Sequence, residues 1–351
     1  MKNIIHVVGA RPNFMKAAPV IEACAQKGFK QFLVHTGQHY DAQMSEVFFE
    51  QLGLPKPDIN LEVGSNSHAA QTAEIMTRFE KVALERKPDM VLVYGDVNST
   101  VAAALVCAKL LIPVAHVEAG LRSFDRTMPE EVNRIVTDRI SDLLFTPSSD
   151  ADENLKKEGI SASKIHLVGN VMIDTLVKLL PLADKKDLDF KVPQKYALVT
   201  LHRPSNVDDE KIFSQIIKTL AAVSQKIPVI FPVHPRTRQR MEKLLSNNPA
   251  LQIVEPLGYL EFLKLQKGAT VVVTDSGGIQ EETTFLNVPC LTLRENTERP
   301  VTVDMGTNQL IGFAYERLQR EVDNILAGKV KKGRIPPLWD GKAAQRIVNY
   351  L

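Results

Sequence analysis

The sequence of 351 residues is poor in cysteine, and this scarcity already excludes several classes of protein. It contains 3 cysteines, Cys24, Cys107 and Cys290, which are far apart and each stand among apolar residues. An odd, scattered set without a CxxC pair argues against a disulfide framework and against a zinc site. We therefore expect three buried, reduced thiols and no metal centre.

The sequence also lacks an excess of charge of either sign and any long apolar run. Lys+Arg number 43 against 41 Asp+Glu, so a formal net charge of +2 gives no general electrostatic reason to bind nucleic acid or an anionic membrane. Every apolar run is shorter than the roughly 18 residues of a membrane helix, and the opening MKNIIHVVGARP is too polar for a signal sequence. We expect a cytoplasmic protein that binds anions only at a local site.

Short runs rich in β-branched residues recur along the chain, and a stretch with helical spacing follows each. They cover residues 3–8, 31–35, 90–94, 113–117, 143–145 and 165–168, then 196–201, 228–233, 251–254, 270–274 and 290–293. Runs that are apolar throughout suit strands buried on both faces, and intervening helices make such strands parallel. The fold class is α/β.

The pattern restarts after a polar segment that follows Gly169, which predicts two Rossmann-like domains. We assign residues 1–170 to the first and residues 171–336 to the second, and the last segment, 340–351, predicts a short amphipathic helix. Ligands bind beyond the carboxyl ends of parallel strands, so we expect the two domains to face a central cleft lined by those ends.

Ionisable residues follow the strands of the first half. The string GARPNFMK places Arg11 and Lys16 near a helix N-terminus, where they either bind an anion or are simply solvated; it matches neither GxGxxG nor a Walker loop. Asp96, in YGDVNST, is either a functional acid or a helix cap.

The string HVEAGLRSFDRTMPEEVNR crowds acids and bases into one region. Glu118 directly follows an apolar strand, which makes it a candidate acid/base group. Glu130 lies in the first turn of a helix that begins near Pro129, where the helix dipole alone would also favour an acid.

The strands of the second half end in further candidates. TLHRPSN exposes His202 and PVHPRT presents Arg236, although a histidine at a strand end often has a purely structural hydrogen bond. In TDSGGIQEE, the small-residue turn 276–278 opens a helix whose free N–H groups can hold a phosphate, and Glu282 can accept a hydrogen bond from a ribose hydroxyl. TERP adds Arg299.

These strings together resemble the non-hydrolysing UDP-N-acetylglucosamine 2-epimerases over nearly the whole chain. GARPNFMK, GDVNST, HVEAGLRS, MPEEVNR, PVHPRT, TDSGGIQEE and TERP stand in the order of that family, and DGKAAQRI is similar to its closing helix. The resemblance implies the two-domain GT-B fold of phosphorylase-like glycosyltransferases, with the helix at about 337–351 packed back on the first domain. It also implies a homodimer, no cofactor and reversible conversion of UDP-N-acetylglucosamine to UDP-N-acetylmannosamine through 2-acetamidoglucal.

The resemblance assigns roles residue by residue. It implies that the catalytic residues are Asp96, Glu118, Glu130 and His202, the last of these lying near the diphosphate. It implies that the UDP-sugar is bound by Arg11, Lys16, His202, Arg236, Phe262, Ser276, Gly277, Gly278, Glu282 and Arg299. Which carboxylate acts as base and which as acid stays open.

The sequence departs from the family pattern in three places. HRPSN keeps His202 and Arg203 but has no Glu after them, Leu257 stands where some relatives have Gln beside uracil, and the TGQHYDAQMSE loop differs in spacing from the loop that builds an activating second site. Because the GQHYD form also occurs in epimerases of diacetamido-uronic acid nucleotides, that substrate is an alternative. A GT-B glycosyltransferase, a non-catalytic UDP-sugar-binding protein and a hydrolysing variant are the others.

Overall fold

A parallel β-sheet forms the centre of each of the two units into which the chain divides. The computed structural model describes residues 2–38, 49, 51–233, 241 and 250–351. One unit comprises Met1–Lys178 with Pro337–Leu351, and the other comprises Leu179–Pro336. The division falls at residue 178, inside a helix that spans Val171–Asp184, whereas the sequence pattern placed it after residue 170.

The first unit is built on a sheet of 7 strands in the order β3-β2-β1-β4-β5-β6-β7, and every neighbouring pair is parallel. The strands are β1 (Asn3–Val8), β2 (Lys30–His35), β3 (Ile59–Asn60), β4 (Met90–Tyr94), β5 (Val114–Val117), β6 (Leu143–Thr146) and β7 (Ile165–Leu167). The helices that follow them are α1 (Arg11–Gln26), α2 (His68–Arg86), α3 (Asn98–Leu110), α4 (Pro129–Ile140), α5 (Ser149–Lys157) and α6 (Val171–Asp184), with a short 3-10 turn at Ala162–Lys164.

The second unit repeats this plan with 6 parallel strands in the order β10-β9-β8-β11-β12-β13. The strands are β8 (Ala197–Thr200), β9 (Val229–Pro232), β10 (Leu251–Val254), β11 (Val271–Thr274), β12 (Cys290–Thr292) and β13 (Asn308–Leu310). Its helices are α7 (Pro204–Val207), α8 (Glu210–Ser224), α9 (Tyr259–Gly268), α10 (Gly277–Leu286), α11 (Pro300–Asp304) and α12 (Tyr315–Leu326).

Apolar side chains on both faces hold each sheet. In the first unit, Ile5, Val91 and Val93 pack with Phe79 and Val82 of α2 in one buried cluster. The second unit has a corresponding cluster, in which strand residues pack with side chains of α8 and α12. Burial on both faces explains why the strands are apolar along their whole length.

The C-terminal segment belongs to the first unit, where its helix α13 (Ala343–Ile347) contacts α1. The Asp174 carboxylate accepts hydrogen bonds from the N–H groups of Ala343 at 3.0 Å and Ala344 at 2.7 Å, and the Trp339 indole donates to the Pro147 carbonyl at 2.9 Å. The helix is shorter than the predicted segment 340–351.

The three cysteines are free and buried, as predicted. Burial raises the pKa of Cys24 and Cys107 to about 12 and that of Cys290 to about 11, so all three are neutral thiols at physiological pH. Among the helices of the described residues, none combines the length and the apolar character needed to cross a membrane.

Candidate active site

The carboxyl ends of β1, β4 and β5 bring Lys16 and Glu118 together. Lys16 Nζ lies 2.8 Å from Glu118 Oε1, and only 6% and 2% of the two side chains are exposed. Glu118 adopts a φ of 74°, which turns the chain sharply at the end of the strand. Gly95 has a φ of 63°, which favours glycine, and a Cβ atom there would lie 2.6 Å from Lys16 Nζ and crowd the ammonium. A buried ion pair of this kind holds the glutamate in one place.

Asp96 is held by a second cation of the same unit. The Arg134 guanidinium of α4 donates from Nη1 to Asp96 Oδ2 and from Nη2 to Glu131 Oε2 at 2.8 Å, and the Asp96 side chain remains 20% exposed. The N-cap of α3 is Val97, so the alternative that Asp96 caps this helix is wrong. The Asp96 carboxylate is therefore oriented and also open to solvent.

Glu131 anchors the loop that precedes α4. Its carboxylate accepts hydrogen bonds from the backbone N–H of Ser123 at 3.0 Å and of Phe124 at 2.9 Å. Burial pushes the pKa of Glu131 upward, but these hydrogen bonds and Arg134 hold it below its usual value. Glu131 is thus a structural carboxylate beside the predicted Glu130.

Glu130 and Arg11 lie at the N-termini of α4 and α1. Glu130 is half-buried in the first turn of α4, and Arg11 is the exposed first residue of α1. Lys16, Asp96 and Glu118 thus lie at one edge of the sheet, because the strands before them are parallel and α1 begins where β1 ends.

Behind this edge lies a buried histidine. The His116 ring lies within β5. Its Nδ1 is 2.6 Å from Asp138 Oδ1, and its Nε2 is 2.7 Å from the Gly95 carbonyl oxygen. The other oxygen of Asp138 accepts hydrogen bonds from the Gly120 N–H at 3.1 Å and from Arg122 Nη1 at 2.7 Å. Burial opposes ionisation of Asp138, but His116 and Arg122 hold its pKa below the usual value.

In the second unit, Asp275 organises the ends of β8 and β11. Its buried carboxylate lies 2.9 Å from His202 Nδ1 and accepts hydrogen bonds from the Arg203 N–H at 2.9 Å and from Asn206 Nδ2 at 3.0 Å. Burial alone would raise the pKa of Asp275, but His202 and these donors have the larger effect and hold the pKa below its usual value. The His202 side chain is 61% exposed, so its other face is free to meet a ligand.

Asn206 occupies the last position of the HRPSN string that departs from the family pattern. It donates to Asp275 at 3.0 Å and to the Leu293 carbonyl at 3.1 Å, and it is fully buried. Asn206 therefore helps to fix the loop that carries His202.

Ser276 is the N-cap of α10, and a chain of buried charges lies beside this helix end. Arg299 pairs through Nε with Glu281 Oε1 at 2.8 Å and through Nη1 with Glu298, and Arg294 Nη2 lies 2.7 Å from the other oxygen of Glu298. A Cβ atom at Gly277 would lie 2.4 Å from Arg299 Nη1, so the absence of a side chain lets the guanidinium approach the first residue of the helix. Gly278 follows in the same turn.

Glu282 lies one turn further along α10. Only 2% of it is exposed, and it accepts a hydrogen bond from the Tyr259 hydroxyl at 2.8 Å. Burial raises the pKa of Glu282 to about 7, so its charge changes near neutral pH. Leu257 and Phe262 pack against the apolar cluster that contains Tyr196 and Ile230.

Two further predictions concern Arg236 and metals. Arg236 lies outside the described residues. Within the residues that are described, no group of three or more His, Cys, Asp or Glu side chains could hold a metal ion.

The sequence reasoning missed His116, Asp138 and Asp275. His116 interrupts the otherwise apolar strand VAHV, and a polar residue in a strand buried on both faces requires partners, which is a usable signal. Asp275 directly follows β11, but the small residues after it gave the stronger signal, that of a phosphate site. Asp138 lies inside α4 and carries no such signal.

Comparison with known proteins agrees with these motifs. The family model described as UDP-N-acetylglucosamine 2-epimerase matches residues 22–351. The chain belongs to this family. The predicted family and the predicted enzyme class, a UDP-sugar 2-epimerase, are confirmed.

Members of the epimerase family resemble the chain along its full length. It is 46% identical to the UDP-N-acetylglucosamine 2-epimerase of Methanococcus maripaludis, over 98% of this chain and 97% of that protein. It is 43% identical to a UDP-2,3-diacetamido-2,3-dideoxy-D-glucuronate 2-epimerase of Pseudomonas aeruginosa, over 99% of both. The structure of Methanocaldococcus jannaschii UDP-GlcNAc 2-epimerase in complex with UDP-GlcNAc and UDP matches with a TM-score of 0.90 at 43% identity, over 99% of each chain, so the predicted fold class is confirmed.

Proposed function

We propose that this protein interconverts UDP-N-acetylglucosamine and UDP-N-acetylmannosamine by elimination of UDP and its re-addition. The observation that carries the proposal is the pair of carboxylates at the ends of β4 and β5, Asp96 and Glu118, each held by a buried cation in a chain of this family. Oriented carboxylates at a strand end are suited to moving protons on a bound ligand.

The chemistry explains why such groups are needed. The hydrogen on carbon 2 of the sugar is not next to a carbonyl, so its direct removal would be very unfavourable. Loss of this proton together with cleavage of the bond between carbon 1 and the UDP oxygen gives the double bond of 2-acetamidoglucal. UDP then adds back at carbon 1, and a proton returns to the opposite face of carbon 2. The two steps leave the oxidation level unchanged, so the reaction calls for no redox cofactor.

The residues divide between these tasks. We assign proton transfer to Asp96, Glu118 and Glu130. Lys16 and Arg11, at the same sheet edge, would offset negative charge on the departing diphosphate, since cations there favour the leaving group. Glu118 is already paired with Lys16, so a proton moved by Glu118 changes the charge balance of that pair.

The UDP moiety is assigned to the second unit. The N-terminal turn of α10, at Ser276, Gly277 and Gly278, offers backbone N–H groups to a phosphate, with Arg299 alongside. We assign Glu282 to a ribose hydroxyl, Phe262 to the side of the uracil and His202 to the diphosphate. Arg236 joins this set from its sequence motif.

We further propose that the protein acts as a homodimer. The support is the family itself, because the resemblance implies this assembly. Light scattering on the purified protein measures the mass directly, and a monomeric mass at assay concentration would contradict the assignment.

The proposed reaction is tested by isotope exchange. Incubation with UDP-N-acetylglucosamine in deuterated water should give UDP-N-acetylmannosamine with deuterium at carbon 2. Proton NMR detects this deuterium as loss of the signal of the hydrogen on carbon 2. Product without deuterium would overturn the elimination mechanism. Steady release of free UDP would instead indicate a hydrolysing enzyme, and tight binding with no exchange would indicate a binding protein.

A second candidate substrate is UDP-2,3-diacetamido-2,3-dideoxy-D-glucuronate. It is favoured by the relative of that name, whose 43% identity over 99% of both chains is close to that of the N-acetylglucosamine enzymes. Parallel assays with the two nucleotide sugars decide between them, since the true substrate should have the larger kcat/KM.

A further inference from the structure

The inference concerns the buried ring of His116 and its two partners. The ring is fully buried, and both of its nitrogens face oxygen atoms, Asp138 Oδ1 at 2.6 Å and the Gly95 carbonyl at 2.7 Å. A carbonyl oxygen can only accept a hydrogen bond, and so can an ionised carboxylate. A ring that satisfies both partners must donate from both nitrogens and is therefore an imidazolium.

The charges around the ring are consistent with this state. Asp138 is fully buried with 0% of its side chain exposed, and it also receives hydrogen bonds from Arg122 and from the Gly120 N–H. Arg122 is in turn paired with Glu158 through two hydrogen bonds of 2.7 and 2.8 Å. The Glu158 side chain is 36% exposed, whereas His116, Arg122 and Asp138 are buried, and with a protonated ring the four groups together carry no net charge.

The same contacts join the two turns that carry the proposed catalytic carboxylates. Through His116, Asp138 reaches the Gly95 carbonyl, one residue before Asp96. Through its second oxygen, Asp138 binds the Gly120 N–H, two residues after Glu118. One buried pair therefore fixes the backbone next to both acids.

We propose that His116 is a positioning residue, held as a doubly protonated ring between Asp138 and the Gly95 carbonyl, which sets the orientation of Asp96 relative to Glu118. The proposal rests on the epimerase function proposed above. It assigns the ring no contact with substrate, because the side chain is fully buried. Misplacement of a catalytic group by about 1 Å can reduce turnover by about 100-fold, so an internal ring of this kind has a kinetic effect.

Two substitutions separate the two contacts. In His116→Asn the amide nitrogen takes the place of Nδ1 and keeps the contact with Asp138, whereas in His116→Gln it takes the place of Nε2 and keeps the contact with Gly95. We expect kcat for epimerisation to fall by about 100-fold in His116→Asn and by less than about tenfold in His116→Gln, with KM within about threefold of the wild type in both.

His6 provides the matched control. It is a fully buried histidine on β1 of the same sheet, and its two nitrogens contact side-chain groups, the Tyr94 hydroxyl at 2.6 Å and Gln31 at 2.8 Å, rather than the backbone of either turn. His6→Asn should lower the melting temperature but leave kcat within about threefold of the wild type. If His116→Asn retains kcat, or if it loses no more than His6→Asn and His116→Gln, the positioning role is refuted.

Neutron diffraction from perdeuterated crystals tests the proposal without any variant. Deuterons on both nitrogens of His116 are expected, and a ring with only one deuteron would overturn the proposal even if the Asn variant fails to fold. Failure of the wild type to epimerise any UDP-sugar would refute the proposed function instead, and the neutron result would still decide the state of the ring.

Discussion

Glu282 is a single residue whose environment links pH to stability. Burial raises its pKa from 4.5 to about 7, and the hydrogen bond that the Tyr259 hydroxyl donates partly offsets this rise. In the unfolded chain the carboxyl group is solvated and ionises near its ordinary pKa, so between these two values the folded state binds more protons than the unfolded state. The free energy of unfolding therefore falls as pH rises through this window, by roughly 3 kcal/mol in total.

Glu282→Gln should remove this pH dependence. The amide oxygen can still accept the Tyr259 hydrogen bond, but the side chain no longer ionises. We expect the variant to melt close to the wild-type temperature near pH 4 and at a higher temperature near pH 8, as measured by calorimetry at both values. The exposed Glu295→Gln is the control and should change neither curve. An equal shift at both pH values would contradict the assignment of the raised pKa to Glu282.

Residue type alone does not predict such behaviour. Asp138 and Asp275 are buried like Glu282, yet their pKa values lie below the ordinary value because a histidine and other donors surround each carboxylate. Glu282 has a neutral hydroxyl as its partner. The donors come from residues distant in sequence, so no local pattern reveals the difference.

At the scale of single elements, the short helix α13 depends on one carboxylate. The Asp174 carboxylate of α6 accepts hydrogen bonds from the N–H groups of Ala343 and Ala344, which would otherwise be unpaired at the start of the helix. Its side chain is buried, and burial raises its pKa to about 6. The C-terminal segment thus gains a cap from a residue 169 positions earlier in the chain.

Asp174→Ala should destabilise the first unit. Loss of a buried acceptor for two N–H groups costs about 1–2 kcal/mol, which should lower the urea midpoint without changing the slope of the transition. Glu22→Ala is the control, because Glu22 pairs with Lys178 at the surface of the same unit and such pairs contribute at most about 1 kcal/mol. Equal losses in the two variants would show that Asp174 does not cap the helix.

Most of the strands could be predicted from the sequence, and the exceptions have a common cause. The runs at 3–8, 90–94 and 251–254 match β1, β4 and β10 in full, since each is apolar and ends in a turn. Strand β3 has 2 residues and β13 has 3, and their polar residues Asn60 and Asn308 give no apolar run. Both are edge strands that form because a neighbouring strand offers free hydrogen-bonding groups, which a sequence pattern does not show.

The strand ends in the sequence predicted which residues belong to the candidate site, but the sequence did not predict the contacts between them. Lys16 and Glu118 were both recognised, yet they are 102 positions apart in the chain, and their pairing follows from the order β1-β4-β5 in the sheet. Strand order is a property of the whole unit. The contact between His116 and Asp138 joins β5 to the helix that follows it, and it could not be foreseen because it depends on how this helix packs against the strand.

At the scale of the whole molecule, a formal charge of +2 conceals strongly charged local sites. Buried ion pairs such as Lys16 with Glu118 and Arg299 with Glu281 place cations at local sites without adding to the net charge of the protein. The proposed proton-transfer acids lie in the first unit, together with Lys16 and Arg11 for the diphosphate, whereas the proposed ligands of the ribose and the uracil lie in the second. We therefore expect substitutions in the two units to affect different measured quantities.

Glu118→Gln in the first unit and Glu282→Gln in the second test this division of labour. Loss of an acid/base group should lower kcat by about 100- to 10,000-fold in Glu118→Gln, with a smaller change in the Kd of UDP than in Glu282→Gln. Glu282→Gln should instead raise the Kd of UDP by about tenfold or more, because a charge-assisted hydrogen bond to the ribose is replaced by a neutral one.

Calorimetric titration with UDP and initial-rate kinetics on the same preparations measure both quantities. Because Glu282→Gln should be more stable than the wild type near pH 8, weaker binding in this variant could not be attributed to unfolding. Glu295→Gln again serves as the control for both quantities. If Glu118→Gln lost UDP binding to the same extent as Glu282→Gln, or if Glu282→Gln lowered kcat with an unchanged Kd, the assignment of proton transfer to Glu118 and of the ribose to Glu282 would be wrong.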